Sequence, residues 1–246
     1  MRVSRLYVDM PLVVQETISL DEGCAHYVRT VLRLKKSYSI ILFNGLGGEY
    51  QAEIMVVSRK QVLVKILSFV DRDIESPLQV LLGLGVSRGE RMDFSVQKSV
   101  ELGVMKITPL ISERCVVQLK GDKESNKIRH WQKIAQHAAE QSGRTVMPRI
   151  ESVALLAAWV KQQSGLKVFL DPFATQTLQD LQPEGNKVTL LAGPEGGFSE
   201  QERETAKQAG FIPVQLGPRV LRTETAALAA LTAVQVLWGD LGCTDA

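Results

Sequence analysis

Residues 188–202, VTLLAGPEGGFSEQE, run an unbroken apolar stretch into a Gly-Pro turn and then into a helix start. Val188, Leu190, Leu191 and Ala192 lack the alternation of a strand with one wet face, which predicts a strand buried on both sides. Gly193-Pro194 stops it. Ser199, with Glu202 three residues on, makes a capping box that opens a helix over Glu200 to Ala209. A strand of this kind needs a layer above it and a layer below it, so the chain around it must supply helices to both faces of a sheet.

The rest of the chain after Pro77 keeps that rhythm. Leu78 to Leu84 reads as a strand, and Glu90 to Leu102 as a helix with Met92, Val96 and Val100 on one face and Gly103 past its end. Lys106 to Leu110 reads as a strand, and Asn126 to Gln141 as a helix closed by Gly143. Strands over Lys167 to Leu170, Val188 to Ala192 and Pro213 to Leu216 follow, with helices between them. Such alternation predicts a mostly parallel sheet covered on both faces, with ligands outside the carboxyl ends of its strands.

Residues 1 to 72 differ. Short alternating runs at Leu6 to Val8, Ile40 to Phe43, Tyr50 to Val57 and Val62 to Phe69 are punctuated by Asn44-Gly45 and Gly47-Gly48, and one amphipathic segment spans about Cys24 to Leu34. This pattern predicts a small β-barrel with a helix. The polar stretch from Asp71 to Pro77 reads as the boundary, with one domain over 1–72 and a second over 73–246.

A turn between a strand and a helix start gathers backbone N–H groups on a ligand. The phosphate-binding G-x-x-x-x-G-K-[ST] and the dinucleotide G-x-G-x-x-G are both absent. Glu195 stands inside the turn, Glu200, Glu202 and Glu204 follow, and no cation precedes Arg203. Those carboxylates disfavour a polyphosphate and suit a neutral or cationic ligand of nucleoside character, a description that S-adenosylmethionine fits. A turn whose glycines only satisfy backbone geometry is the alternative.

A second stretch, LGPRVLRTETAALAALTAVQVLW over 216–238, ends another strand in a Gly-Pro turn. Thr223 stands where an N-cap would open a helix rich in Ala226, Ala227, Ala229, Ala230 and Ala233, a face that lets another backbone or subunit come close. Arg219, Arg222 and Glu224 beside the turn form either a structural ion-pair set or part of a site.

The net charge of +2 hides a gradient. Residues 1–75 carry 10 Lys+Arg against 9 Asp+Glu, residues 76–150 carry 12 against 7, and residues 151–246 carry 7 against 11. A basic middle with a further cluster at Arg29, Arg33, Lys35 and Lys36 suits a surface laid on a phosphate backbone, although a solvated face gives the same count. Three scattered cysteines, Cys24, Cys115 and Cys243, and three dispersed histidines, His26, His130 and His137, offer no metal-ligand spacing. There is no run of about 18 apolar residues, and Met1-Arg2-Val3-Ser4-Arg5 leads into no signal-peptide core, which points to a cytoplasmic protein with no membrane partner.

The ordered set SRGERMDFSVQKSVELGV (87–104), SERC (112–115), WQKIAQHAAEQSGR (131–144), LLAGPEGGFSEQE (190–202) and LGPRVLRTETAALAAL (216–231) resembles the RsmE family of bacterial ribosomal RNA methyltransferases, of the SPOUT class. The likeness runs from RLYV near the start to VLWGDLG near the end. It implies a PUA-like β-barrel for RNA followed by an α/β domain with a parallel sheet tied in a trefoil knot. It also implies S-adenosylmethionine as cofactor, a homodimer with its active site at the subunit interface, and N3-methylation of one uridine in the decoding region of 16S ribosomal RNA within the small ribosomal subunit.

On the matching positions, the resemblance implies a cofactor pocket from Gly193, Pro194, Glu195, Gly196 and Gly197, from Leu216, Gly217, Val220, Leu221, Arg222 and Thr223 with Glu224, and from the strand end at Leu170. Asp171-Pro172-Phe173 departs from the His-containing loop of several members, so no role carries over to Asp171. Methyl transfer from a sulfonium is an in-line displacement, and uridine N3 carries a proton that a base must take while donors stabilise the developing charge on O2 and O4. Arg222 is the candidate for that charge and Glu224 for orienting it or taking the proton. Arg29, Arg33, Arg88, Arg91, Lys98, Arg114 and Arg144 are candidate phosphate contacts. A non-catalytic RNA-binding or ribosome-assembly protein would explain the basic middle but leaves the Gly-Pro turns idle. A nicotinamide-dependent oxidoreductase would explain the βα rhythm but lacks the fingerprint.

Overall fold

The computed structural model describes residues 3–117, 119 and 121–242. Met1, Arg2 and Cys243 lie outside the described residues. The chain divides into two compact units, Met1–Glu75 with Ala139–Met147, and Ser76–Ala138 with Pro148–Ala246.

The first unit is built on a five-stranded sheet of β1 (Ser4–Tyr7), β2 (Thr17–Ser19), β3 (Ser39–Phe43), β4 (Glu49–Val57) and β5 (Val62–Val70), in the order β1-β3-β4-β5-β2. The β1–β3 pair is parallel and the others antiparallel, and no ladder joins β1 to β2 among the described residues. Val62, Val64 and Ile66 alternate with half-buried neighbours along β5, the period-two pattern of a strand with one face inward. They pack with Leu6, Ile18, Ile40, Leu42, Ile54 and Val28 in one apolar core. The strand at 17–19 has only three residues, too few for alternation to register in the sequence. The amphipathic segment is a short helix α1 (Glu22–His26) that widens into a π-helical turn over Tyr27–Val31, where Leu32 N–H donates to the Tyr27 carbonyl at 2.9 Å.

Residues 139–147 join this unit through polar contacts. Arg144 donates to Glu75 through Nε at 2.9 Å and Nη2 at 2.5 Å, and the N–H groups of Thr145 and Val146 donate to the other Glu75 oxygen at 3.1 and 3.2 Å. Arg5 pairs with Glu49 and donates to the Arg144 carbonyl at 3.0 Å. Tyr7 N–H donates to Glu140 at 3.0 Å.

The second unit carries β6 (Gln79–Gly85), β7 (Lys106–Ile111), β8 (Arg149–Ile150), β9 (Ala154–Leu155), β10 (Leu166–Leu170), β11 (Lys187–Ala192) and β12 (Ile212–Val214). The order is β12-β10-β11-β6-β7-β8, with β9 also on β7, and every pair is parallel. Nearly every residue of β6 and β11 is buried, as expected of central strands covered on both faces. Helices α2 (Glu90–Glu101), α3 (Asp122–Ser142), α4 (Leu156–Trp159), α5 (Glu200–Gln208) and α6 (Thr223–Trp238) complete the α/β fold. The last strand stops at Val214 rather than Leu216, because beyond it Gln215 N–H turns to the Gln176 carbonyl at 2.9 Å. Its Pro213 is tolerated since β12 lies at the sheet edge.

Candidate active site

Three segments leave the carboxyl ends of β10, β11 and β12 and enclose one cavity of about 620 Å³. The first follows Leu170, the second runs from Gly193 to Phe198, and the third from Gln215 to Arg222 into α6.

The 193–199 segment is held from both sides. Gly197 N–H donates to the Pro194 carbonyl at 2.9 Å with φ near 65°, a conformation that favours glycine. Gly85, at the end of β6, lets this turn come close: a Cβ there would lie 2.4 Å from Pro194 N. Ser199 accepts from Glu202 N–H and Glu202 accepts from Ser199 N–H at 2.9 Å, closing the capping box. The other Glu202 oxygen accepts from Glu113 N–H at 2.8 Å, so this buried carboxylate serves the scaffold. Glu195 accepts from Arg88 N–H at 3.2 Å and from Arg91 Nη1 at 3.3 Å, and Arg114 donates to the Gly196 carbonyl at 3.2 Å.

These partners correct the reading of the loop by its own charges. Its Glu195 is matched by Arg91, 104 residues away in the chain, Glu202 is taken up by backbone N–H groups, and Arg91, Arg114, Arg203, Arg219 and Arg222 all line the cavity. The exclusion of polyphosphates therefore rests on the missing phosphate motifs and not on local repulsion.

In the third segment Gly217 takes φ near 84°. Arg222, not Thr223, is the N-cap of α6: its backbone is extended and its carbonyl accepts from Ala226 N–H at 2.8 Å, whereas Thr223 is already helical. No side-chain cap hydrogen bond forms there. Arg219, Arg222 and Glu224 make no ion pair with one another among the described residues, so the structural ion-pair alternative is not what the chain adopts. Among the described residues, the Oε2 atom of Glu224 is buried with no hydrogen-bond partner.

In the first segment Asp171, buried, brings both carboxylate oxygens within 3.0 Å of Arg203 Nη1 and accepts from Phe173 N–H at 3.0 Å. The Arg203 guanidinium lies 5.2 Å from the Phe173 ring centroid. No signal in the bare sequence coupled Asp171, just past β10, to Arg203, which is 32 residues on and in α5.

Thus Leu170, Gly193, Pro194, Glu195, Gly196, Gly197, Leu216, Gly217, Val220, Leu221, Arg222, Thr223 and Glu224 are brought to one cavity. The candidate phosphate contacts are not so uniform. Arg88, Arg91 and Arg114 are exposed, and Arg91 and Arg114 line the cavity. Lys98 pairs with Glu101 at 2.8 Å, and Arg33 is exposed. Arg144 is a correction: its side chain is 7% exposed and bound to Glu75, so it holds the first unit together and does not face solvent. Arg29 is another, since its guanidinium is spent on the Ser58 and Arg59 carbonyls and on Glu22. No group of three or more His, Cys, Asp or Glu among the described residues is placed to hold a metal ion.

Residues 74–235 match the model of an RNA methyltransferase domain, and residues 20–67 that of an RNA methyltransferase PUA domain. Over 242 residues the chain is 41% identical to the ribosomal RNA small subunit methyltransferase E of Buchnera aphidicola subsp. Schizaphis graminum, covering 98% of each chain. The chain belongs to the ribosomal RNA small subunit methyltransferase E family. Two solved structures of similar proteins reinforce the likeness in three dimensions. A methyltransferase from Legionella pneumophila, in complex with the bound cofactor SAM, superposes with a TM-score of 0.96 at 40% identity, covering 98% of this chain and 100% of its own. The family protein from Neisseria gonorrhoeae, bound to S-adenosyl methionine, does so at 0.92 and 37% identity, with the same coverage. The α/β fold and the PUA-like unit are those of the family.

Proposed function

We propose that this protein is a S-adenosylmethionine-dependent methyltransferase that modifies N3 of one uridine in the decoding region of 16S ribosomal RNA. The observation that carries the reading is the convergence of three loops on one cavity, lined by backbone-rich turns at Gly193–Gly197 and Leu216–Gly217 and by a carboxylate oxygen that is buried without a partner. The two solved relatives with that cofactor support it.

When bound, S-adenosylmethionine supplies a methyl group on a sulfonium. Backbone groups of the glycine turns would hold it, and Glu195, tied to Arg88 and Arg91, fixes the turn. Arg222 places a positive charge at the cavity, where it stabilises the O2 or O4 charge that develops on uracil. Glu224 takes the N3 proton or orients Arg222. RNA is gripped by the PUA-like unit over 1–72, with Arg33, and by Arg88, Arg91, Lys98 and Arg114 of the methyltransferase domain over 73–246. A trefoil knot in the latter, a homodimer with the site at the interface, and a cytoplasmic location belong to the same reading. No helix among the described residues is long and apolar enough to cross a membrane.

The decisive experiment incubates the protein and labelled S-adenosylmethionine with small ribosomal subunits or free rRNA from a strain lacking the gene, then maps the label. Label at one uridine, resistant to base-pairing chemistry at N3, is expected. No transfer to either RNA, or label on another base, overturns the proposal.

A further inference from the structure

The cavity has a rim that the cofactor does not explain. Phe173, which stands outside the residues assigned to the cofactor, lines the cavity and is 78% exposed. Apolar surface left to water at a cavity mouth marks a place that a ligand covers.

The backbone that carries Phe173 is held in place. Its N–H donates to Asp171 Oδ1, Ala174 N–H donates to the Asp171 carbonyl at 3.2 Å, and Gln215 Nε2 donates to the Pro172 carbonyl at 3.1 Å. Arg203 backs the ring, and its own charge is matched by Asp171, so the pair is a support for an aromatic face rather than an anion site. A side chain carried on an anchored backbone and backed on one side has less freedom to lose when something lies on it.

We propose that Phe173 is a stacking platform for a nucleobase of the RNA entering the site. This rests on the methyltransferase reading above. A base presented for methylation has left its neighbours in the strand, and an aromatic side chain replaces the lost stacking. The cofactor is the weaker occupant, because a small ligand buries most of its surface among the enclosing turns, while this ring stands mostly in solvent.

The test measures methylation kinetics on the RNA substrate, S-adenosylmethionine affinity by calorimetry, and molar mass by light scattering. Phe173→Ala should raise KM for RNA about tenfold while the cofactor Kd and the molar mass stay unchanged. Phe173→Tyr and Phe173→Trp should restore KM, and Phe173→Leu, similar in apolar bulk but lacking a π face, should not. The inference is overturned by an unchanged KM in Phe173→Ala or by full function in Phe173→Leu. It is equally overturned by a weakened cofactor Kd, which gives the ring to the cofactor, or by a changed molar mass, which gives it to a second copy of the chain. A parent protein that transfers no methyl group removes the reading of the site and this inference with it; a parent that methylates beside an unaffected Phe173→Ala removes the inference alone.

Discussion

Glu224 keeps one carboxylate oxygen buried and unpartnered at the cavity, a state that costs free energy until a donor arrives. A uracil N3–H or a reoriented arginine is such a donor. Glu224→Gln keeps the shape and removes the charge, so methylation should fall by about 100-fold, the ordinary scale of a lost general base, with cofactor affinity unchanged. Single-turnover assays beside calorimetry check this, and full methylation with intact affinity would take Glu224 out of the mechanism. At this scale the sequence was legible where residues act through the backbone of a motif, as at Gly193-Pro194. It was not where a role depends on a distant partner. Arg144 and Arg29 look like free cations in the chain but are consumed by Glu75 and by the Ser58 and Arg59 carbonyls, and Asp171 carries no hint of Arg203.

The elements show why periodicity finds some structures and not others. Strands β3 to β5 and helices α2, α3 and α5 have enough residues to display a period of 2 or 3.6, β6, β7, β10 and β11 show as short apolar runs instead, and the positions of all of them follow from the sequence within a few residues. Three-residue β2 and the two-residue β8 and β9 do not. The α1 cap offers a test of local chemistry. Burial pushes the Asp21 carboxyl up, but N–H groups of Cys24 and Gly23 outweigh that and leave it below its ordinary 3.8. A lowered carboxyl contributes stability above the unfolded value and loses it as pH falls through the folded one. Asp21→Ala should therefore cost about 1 kcal/mol at neutral pH and much less near pH 2, measured by urea unfolding at both. Cys24, three residues on, has its thiol pushed up to about 12 by burial first and then by Asp21 and Glu140. Mass spectrometry after alkylation near pH 8 should find Cys24 unmodified in the native protein and modified after denaturation.

For the molecule as a whole, binding to a phosphate backbone is read in its dependence on salt. Alanine at Arg88, Arg91 or Arg114 should each flatten the slope of log affinity against log salt by about 0.7 for a single-stranded contact. Arg144→Met should leave that slope alone and lower the melting temperature of the protein, since it abandons Glu75 at a site where the pair is 7% and 18% exposed. An unchanged slope for the first three would make them ordinary surface charge. The partition into a β-rich part and a βα part follows from the change of rhythm at Pro77, whereas the return of residues 139–147 to the first part has no periodic signature, because ion pairs and single hydrogen bonds hold it. That return means the polypeptide crosses from one part to the other three times, at 75/76, 138/139 and 147/148. A protease that nicks the 75/76 junction should release no free fragment under native conditions, and residues 1–75 made by themselves should stay soft, with Arg5, Tyr7 and Glu75 stripped of the acceptors and donors that a later stretch of chain provides. Ribosomal synthesis must accordingly reach past Met147 before the amino-terminal portion can close.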